Sequence, residues 1–334
     1  MSVPPLSPVA AALRAEILAS AEAELAAILD PAGAPAPEAP TPAPPSAPSS
    51  AVDLARAAAA GRQGSLAPMF ADLARAMASP ELPAPVRAAI AQVMALRTPL
   101  DGPLTAETLM RAVAQSGLFL EAHLADGREP PPDLKAALLR LGASLAAARG
   151  GEAVDEPPAK APPPPPVRGA ALTAQPAAAT TLPADAEAPE IVARLQVAVD
   201  QAVARQTLHQ LASAPDGQGG AWMFELPLAT PQGTALAQFE VQRDGRQASG
   251  EFVPGWRLRF SIEVEPLGPV HVHLGLVGDR ACVTVWAERA ESLQPLRREA
   301  AALADALPAE VVIHAGAPQP PAPPPPGRFL DRTS

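Results

Sequence analysis

The sequence predicts an α+β C-terminal domain, mostly antiparallel sheet with a covering helix, preceded by a small α-helical block and Pro/Ala-rich disordered linkers. Three observations carry this. The 45 Pro of the 334 residues gather in tracts between periodic segments. Apolar residues repeat at helical period before those tracts end, and at period two only after residue 221. All three Trp, Trp222, Trp256 and Trp286, lie in that last region. Aromatic residues make up only 3% of the chain, too few to supply one large core, since rings provide much of a core's buried area. Sizeable segments therefore cannot offset their ordering entropy, and a single large enzyme domain is disfavoured.

Residues 1–30 form the first segment. Leu13, Ile17, Ala21, Leu25 and Ile28 lie on one stripe of an amphipathic helix. Residues 31–50 are a Pro/Ala/Ser linker with an extended, solvated backbone. Residues 51–149 read as a small helical block. Leu66, Met69, Phe70, Leu73 and Met77 share one face, and Pro85 fits the first turn of a helix carrying Val86, Ile90, Val93 and Met94. Thr105 is placed to cap a helix with Leu109, Met110 and Val113 that ends at Gly117. Asp133 is placed to cap one with Leu134, Leu138, Leu141 and Leu145.

Residues 150–189 are a second Pro-rich linker. The run Pro162–Pro166 reads as a spacer rather than a ligand for an aromatic groove, because no basic pattern flanks it. Residues 190–220 supply a helix (Ile191, Leu195, Val199, Ala202) and a connector.

Residues 221–315 carry the strands. Trp222, Phe224, Leu226 and Leu228 alternate with Met223, Glu225 and Pro227, and Phe239 and Val241 are followed by an expected Asp244-Gly245 turn. Trp256, Leu258, Phe260, Ile262 and Val264 alternate with a charged set, Arg257, Arg259, Glu263 and Glu265. Val270, Val272, Leu274 and Leu276 lead through Gly278-Asp279 into a strand from Ala281 to Trp286. A helix with Leu293, Leu296, Ala300, Leu303 and Leu307 stops at Pro308, Val311–Ile313 make a last strand, and 316–334 is a Pro-rich tail.

Charge and composition exclude several classes. A net charge of −10 with no long basic run argues against nucleic acid. One Cys, Cys282, rules out an internal disulfide and a Cys-based metal site, and is expected in the core. The N-terminus lacks a basic n-region, and charges interrupt the apolar stretch after it, so neither a Sec signal nor a membrane span is expected. The chain shows no nucleophile elbow, phosphate loop or HExxH, and its carboxylates lie mostly on polar faces; no catalysis is expected. The scarcity of Lys beside Arg matches a GC-rich coding bias and needs no functional cause.

The run Ile262-Glu-Val-Glu-Pro-Leu-Gly-Pro-Val-His-Val-His-Leu274, then Gly278-Asp-Arg-Ala-Cys-Val-Thr-Val-Trp-Ala-Glu288 and a Leu-rich helix, resembles the C-terminal domain of flagellar hook-length control proteins. The strand Trp222–Leu228 resembles that family's entry strand, and Ser116–Glu121 with Asp133–Leu138 is similar to a segment in some members. The resemblance implies an exported ruler, cytoplasmic at first and then passed through the flagellar type III apparatus. Its C-terminal domain would switch export from hook-type to filament-type substrates. The implied partners are the cytoplasmic domain of the flagellar export-gate switch protein, and hook and hook-cap proteins during export, met by a monomer without cofactor, metal, nucleic acid or membrane insertion. A ruler of 190 residues reaches at most roughly 630–680 Å extended, or about 285 Å if helical. The chain departs from many rulers in lacking long Gln/Ser/Thr-rich spacers.

The candidate partner-binding residues are Pro266, Leu267, Gly268, Pro269 and Val270, with Arg257 and Arg259. The first four form a bend between two core strands, with Gly268 free to take positive φ, and the same bend is a candidate partner surface. The Arg257/Arg259 face reads first as solvent face and second as docking surface. His271 and His273 read as solvent-facing rather than metal ligands, for want of a third ligand at suitable spacing. Two other readings stay open: a non-exported cytoplasmic adaptor, and length control in a non-flagellar type III needle system.

Overall fold

A computed structural model describes residues 51–319, apart from 101, 103, 128–130, 151–161, 215–219, 249–250, 279 and 307–308. The expected helix at 9–29 and the linker at 31–50 lie outside the described residues. So do most of the Pro-rich tail, Leu307 and Pro308.

The helices are α1 (Ala51–Arg62), α2 (Leu66–Met77), α3 (Ala84–Met94), α4 (Ala106–Ala114), α5 (Leu120–Ala125), α6 (Leu134–Ala148), α7 (Ala188–Ser213) and α8 (Ala290–Ala306). The strands are β1 (Thr98–Pro99), β2 (Ala221–Thr230), β3 (Gly233–Ala248), β4 (Glu251–Val264), β5 (Gly268–Val277), β6 (Arg280–Ala287) and β7 (Ala309–Ala315). They form one sheet in chain order. β2 to β6 make an antiparallel meander, and β7 returns parallel to β6 through α8. This is the α+β class expected.

Local chemistry sets the helix starts. The Thr105 hydroxyl accepts from the Thr108 N–H, the Asp133 carboxylate from Ala136, and the Ser65 hydroxyl from Ala67. Pro85 sits in the first turn of α3. α7 is longer than the apolar stripe at 191–202 suggests, because its second half continues against β2 with polar residues inward, Arg205, Gln206 and His209.

The sheet separates two sets of side chains. One face carries Phe224, Phe239 and Phe260, stacked at centroid distances of 5.2 and 5.3 Å, and continues through Val272, Val285 and Ile313. At the β2 end Ala112 of α4 and Leu118 cover it, and at the β7 end Leu293 and Leu296 of α8 do. Leu303, expected on the same stripe, is 37% exposed, so α8 covers the sheet with its first half. The other face meets α7 along β2 and α2 along β3, where Leu236 joins the helical core of Leu66, Phe70, Leu138 and Leu195.

Three expectations change. The Asp244-Gly245 pair is not a turn: the β3–β4 ladder passes it, pairing Asp244 with Gly255 and Gly245 with Pro254, and runs on to Ala248 opposite Glu251. A ladder with partners on both strands overrides the local turn preference of two residues. Cys282 is exposed rather than in the core, because strand parity puts it on the face of Thr284 and Trp286. The third change concerns the second linker. Residues 162–186 form a strap bound to the sheet and helices, and the helical block and sheet belong to one unit, Ser49–Ser334. Gln175 exchanges both backbone hydrogen bonds with Leu236, at 3.0 and 2.8 Å. Buried Asp72 accepts from the hydroxyls of Thr180 and Thr181 and the N–H groups of Thr181 and Leu182. A Pro-rich segment forms no core of its own, yet its free N–H groups are satisfied here by side chains of others.

Candidate functional site

The bend between β4 and β5 is built by both strands and by the start of α8. Val264 pairs with Gly268, leaving Glu265, Pro266 and Leu267 to cross between strands. The Glu265–Pro266 peptide is cis and Gly268 has φ 68°. Arg289, just before α8, donates from both Nη atoms to the two Glu265 carboxylate oxygens at 2.7 Å. That pair holds the Glu265 carboxyl below its ordinary range and raises the Arg289 guanidinium. Ser292 Oγ donates to the Leu267 carbonyl at 2.7 Å. Leu267 packs partly against the α8 core while Pro266 is exposed. Val270 is buried against Val285 and Ala287. Of the five bend candidates, Pro266 faces solvent most and Val270 belongs to the core.

Arg257 and Arg259 lie on the other sheet face. Arg257 is exposed. Arg259 is not a free docking cation: its guanidinium pairs with Glu240, whose side chain is fully buried beneath the strap. Glu240 also accepts from the Gly169 N–H at 3.1 Å, while Gln238 accepts from Thr173 and Ser261 from Ala174. The polar set of β3 and β4 therefore recognises the backbone of the strap. His271 bonds Glu288 at 2.9 Å and is 8% exposed, so the expected solvent-facing His is buried and paired with an exposed carboxylate. The His273 ring meets Trp286 edge-on at 4.6 Å, and Trp286 stacks on His314 at 5.6 Å. Burial, then the charge of Arg259, lowers the His273 pKa. Burial raises Glu263 despite Arg289 nearby.

The family model of flagellar hook-length control protein FliK matches residues 247–313. That span contains the bend, the Arg289 clasp, α8 and the strands from the outer end of β3 to β7. The resemblance read at Ile262–Glu288 therefore falls on one continuous structural piece, the half of the sheet that α8 covers. No curated protein and no solved structure is similar enough to this chain to count as a match.

Sequence reasoning missed a second polar assembly. Glu225 on β2 and Arg205 on α7 pair at 2.7 Å with about 1% or less of either side chain exposed. Arg205 also donates to Gln63 Oε1 and to the Pro164 carbonyl, at 2.8 and 2.7 Å. Burial is the largest single influence on Glu225 and raises its pKa; Arg205 and His209 together outweigh it and hold the carboxyl far below its usual range. His209 Nε2 lies 3.5 Å from Glu225, and neither ring nitrogen has a hydrogen-bond partner. Burial lowers the His209 pKa, so the ring is neutral near pH 7. The signal for this assembly is a carboxylate in the middle of the apolar run Trp222–Leu228. A buried carboxylate requires a cation across the layer. Among the described residues, no cluster of three His, Cys, Asp or Glu is arranged for a metal, and no helix is long and apolar enough to cross a membrane.

Proposed function

We propose that this chain is a flagellar hook-length control protein, exported by the type III apparatus, whose C-terminal sheet switches export specificity from hook-type to filament-type substrates. The observation that carries the reading is the family match at 247–313 on the piece that clasps the Glu265–Pro269 bend. A switch must present one surface in one shape. The Arg289 and Ser292 contacts give the bend that property, because they hold both its side chain and its backbone. The proposed partner is the cytoplasmic domain of the export-gate switch protein, with hook and hook-cap proteins met in transit. No bond is made or broken in this role, so the chain is read as a non-enzyme. Before export the chain resides in the cytoplasm.

The strap and the helical core bear on the ruler. The described residues of 51–148 and 162–213 belong to the folded unit, so the extended reach of roughly 630–680 Å belongs to an unfolded chain in transit. A chain ending at residue 220 tests the switch directly. It keeps the N-terminal segments and loses strands β2 to β7 and α8. The expected outcome is export of the fragment with over-long hooks lacking filaments; hooks of normal length with filaments would refute the reading.

The same packing favours a second reading, a non-exported cytoplasmic adaptor that uses helices and sheet as one body. A tagged full chain in a flagellated strain separates the two: recovery outside the cell supports the ruler, and strict retention supports the adaptor.

A further inference from the structure

The sheet face that carries Arg257, Arg259, His271, His273, Trp286 and His314 is covered by the strap over β3 and β4 and left uncovered farther along. Between the strap and the tail, over β3, β4 and β5, it forms a cleft of about 380 Å³. Gly169 and Leu172 of the strap line it, and so do Pro318 and Gln319, the first residues of the Pro-rich tail. The tail reaches the cleft because Gly316, at φ 85°, donates its N–H to the Ala287 carbonyl at 2.8 Å and turns the chain back at the end of β7. The chain then continues as Pro320-Pro-Ala-Pro-Pro-Pro-Pro326.

We propose that residues 320–326 dock in cis along this cleft as a polyproline segment, so that the open sheet face is a recognition surface for extended Pro-rich chain, occupied by the protein's own tail. Six of these seven residues lack an N–H. They need no ladder partner and reach the cleft already extended, with little entropy left to lose. At 3.1 Å per residue, seven residues span about 22 Å. The strand residues that line the cleft lie on β3, β4 and β5; two gaps of 4.7–4.9 Å span about 9–10 Å, so the segment is long enough to cross it.

The floor suits an uncharged ligand. Arg259 is committed to Glu240, and His271 to Glu288. What the floor offers is planar surface: the His273 ring, which meets Trp286 beside the cleft, and the Arg257 and Arg259 guanidinium faces. Pro rings pack on such planar groups, the basis of polyproline recognition in aromatic-lined grooves. An acidic peptide would find the Arg259 charge already neutralised by Glu240.

The test compares three forms by NMR, reading the Trp286 indole and His273 imidazole signals: the full chain, a chain ending at Gln319, and a full chain with the six Pro of 320–326 replaced by Ser. The Trp222 indole signal reports an intact fold. A synthetic peptide of residues 317–328 is then titrated into each. The proposal expects both altered forms to show the same displaced Trp286 and His273 signals. It expects the peptide to restore them in the truncated chain and to bind the full chain at least tenfold more weakly, because the tethered tail competes at an effective concentration near millimolar. Identical signals in all three forms overturn it. So does a Trp286 signal that moves with protein concentration in the full chain, which would assign the cleft to a second copy. Equal binding of an acidic peptide of the same length overturns it as well, in favour of a charge-selective groove.

Discussion

Gly268 illustrates how one residue shapes the bend. Its φ of 68° is a conformation that costs a side-chain-bearing residue about 1–2 kcal/mol. A Cβ built there would also stand 2.2 Å from Arg289 Nε, displacing the clasp on Glu265. Gly268→Ala should therefore lower stability by about 1–2 kcal/mol in urea unfolding, with Gly268→Asn recovering part of the loss. The buried assembly gives a larger effect. Glu225→Gln leaves Arg205 charged without a counter-ion and should cost about 3–5 kcal/mol. His209 gives a pH signature. Its folded pKa lies below the unfolded value, so the stability it contributes is present above about pH 6.5 and falls as the unfolded chain takes up a proton the folded chain refuses. Glu225, also depressed in the folded state, adds a second loss below its ordinary range, in the same direction. His209→Leu should flatten the first part of this acid limb and leave the second, a difference read from urea midpoints at pH 7, 5.5 and 4. Equal slopes in both proteins would remove His209 from the account. Caps such as Thr105 and Asp133 were legible in the sequence because they act on backbone three residues away. The roles of Arg205, Arg259 and His271 were not, since each depends on a carboxylate 17 to 20 residues distant that only the register brings near.

The element that departs most from its sequence reading is the strap. Composition marks residues 162–186 as a spacer, and no apolar periodicity contradicts that. What binds the segment is an exchange of polar groups: its N–H groups meet Glu240, Gln238 and Ser261, and its Thr pair meets Asp72. These partners lie on strand and helix positions that read as solvent faces. The strands themselves were legible because period two survives where one face is fully apolar, as from Trp256 to Val264. Asp72→Ala should release the strap end, costing about 3 kcal/mol through orphaned donors, with limited proteolysis shifting into residues 167–182. Unchanged cleavage would make the Asp72 contacts incidental. On the α8 side, Val272→Asp places a carboxylate against Val285 and the first turns of α8, and should lower the melting temperature or abolish folding of the sheet.

For the whole molecule the sequence divides the chain into blocks, while the structure joins α7, the strap and the sheet into one unit. Far-UV circular dichroism follows mostly the helices, and Trp fluorescence reports only the sheet, which holds all three Trp. The two probes should give coincident urea transitions; a separated helical transition would contradict the joint unit. In the proposed role such a unit has to open for passage and close again to present its bend, so its stability bears on switching as well as on solubility. The central claim is that this chain ends hook growth, and hook length measured by electron microscopy in a flagellated strain lacking the gene tests it most directly. The account predicts over-long hooks without filaments, restored to normal by the full chain. Hooks of normal length bearing filaments in the deletion strain would contradict it.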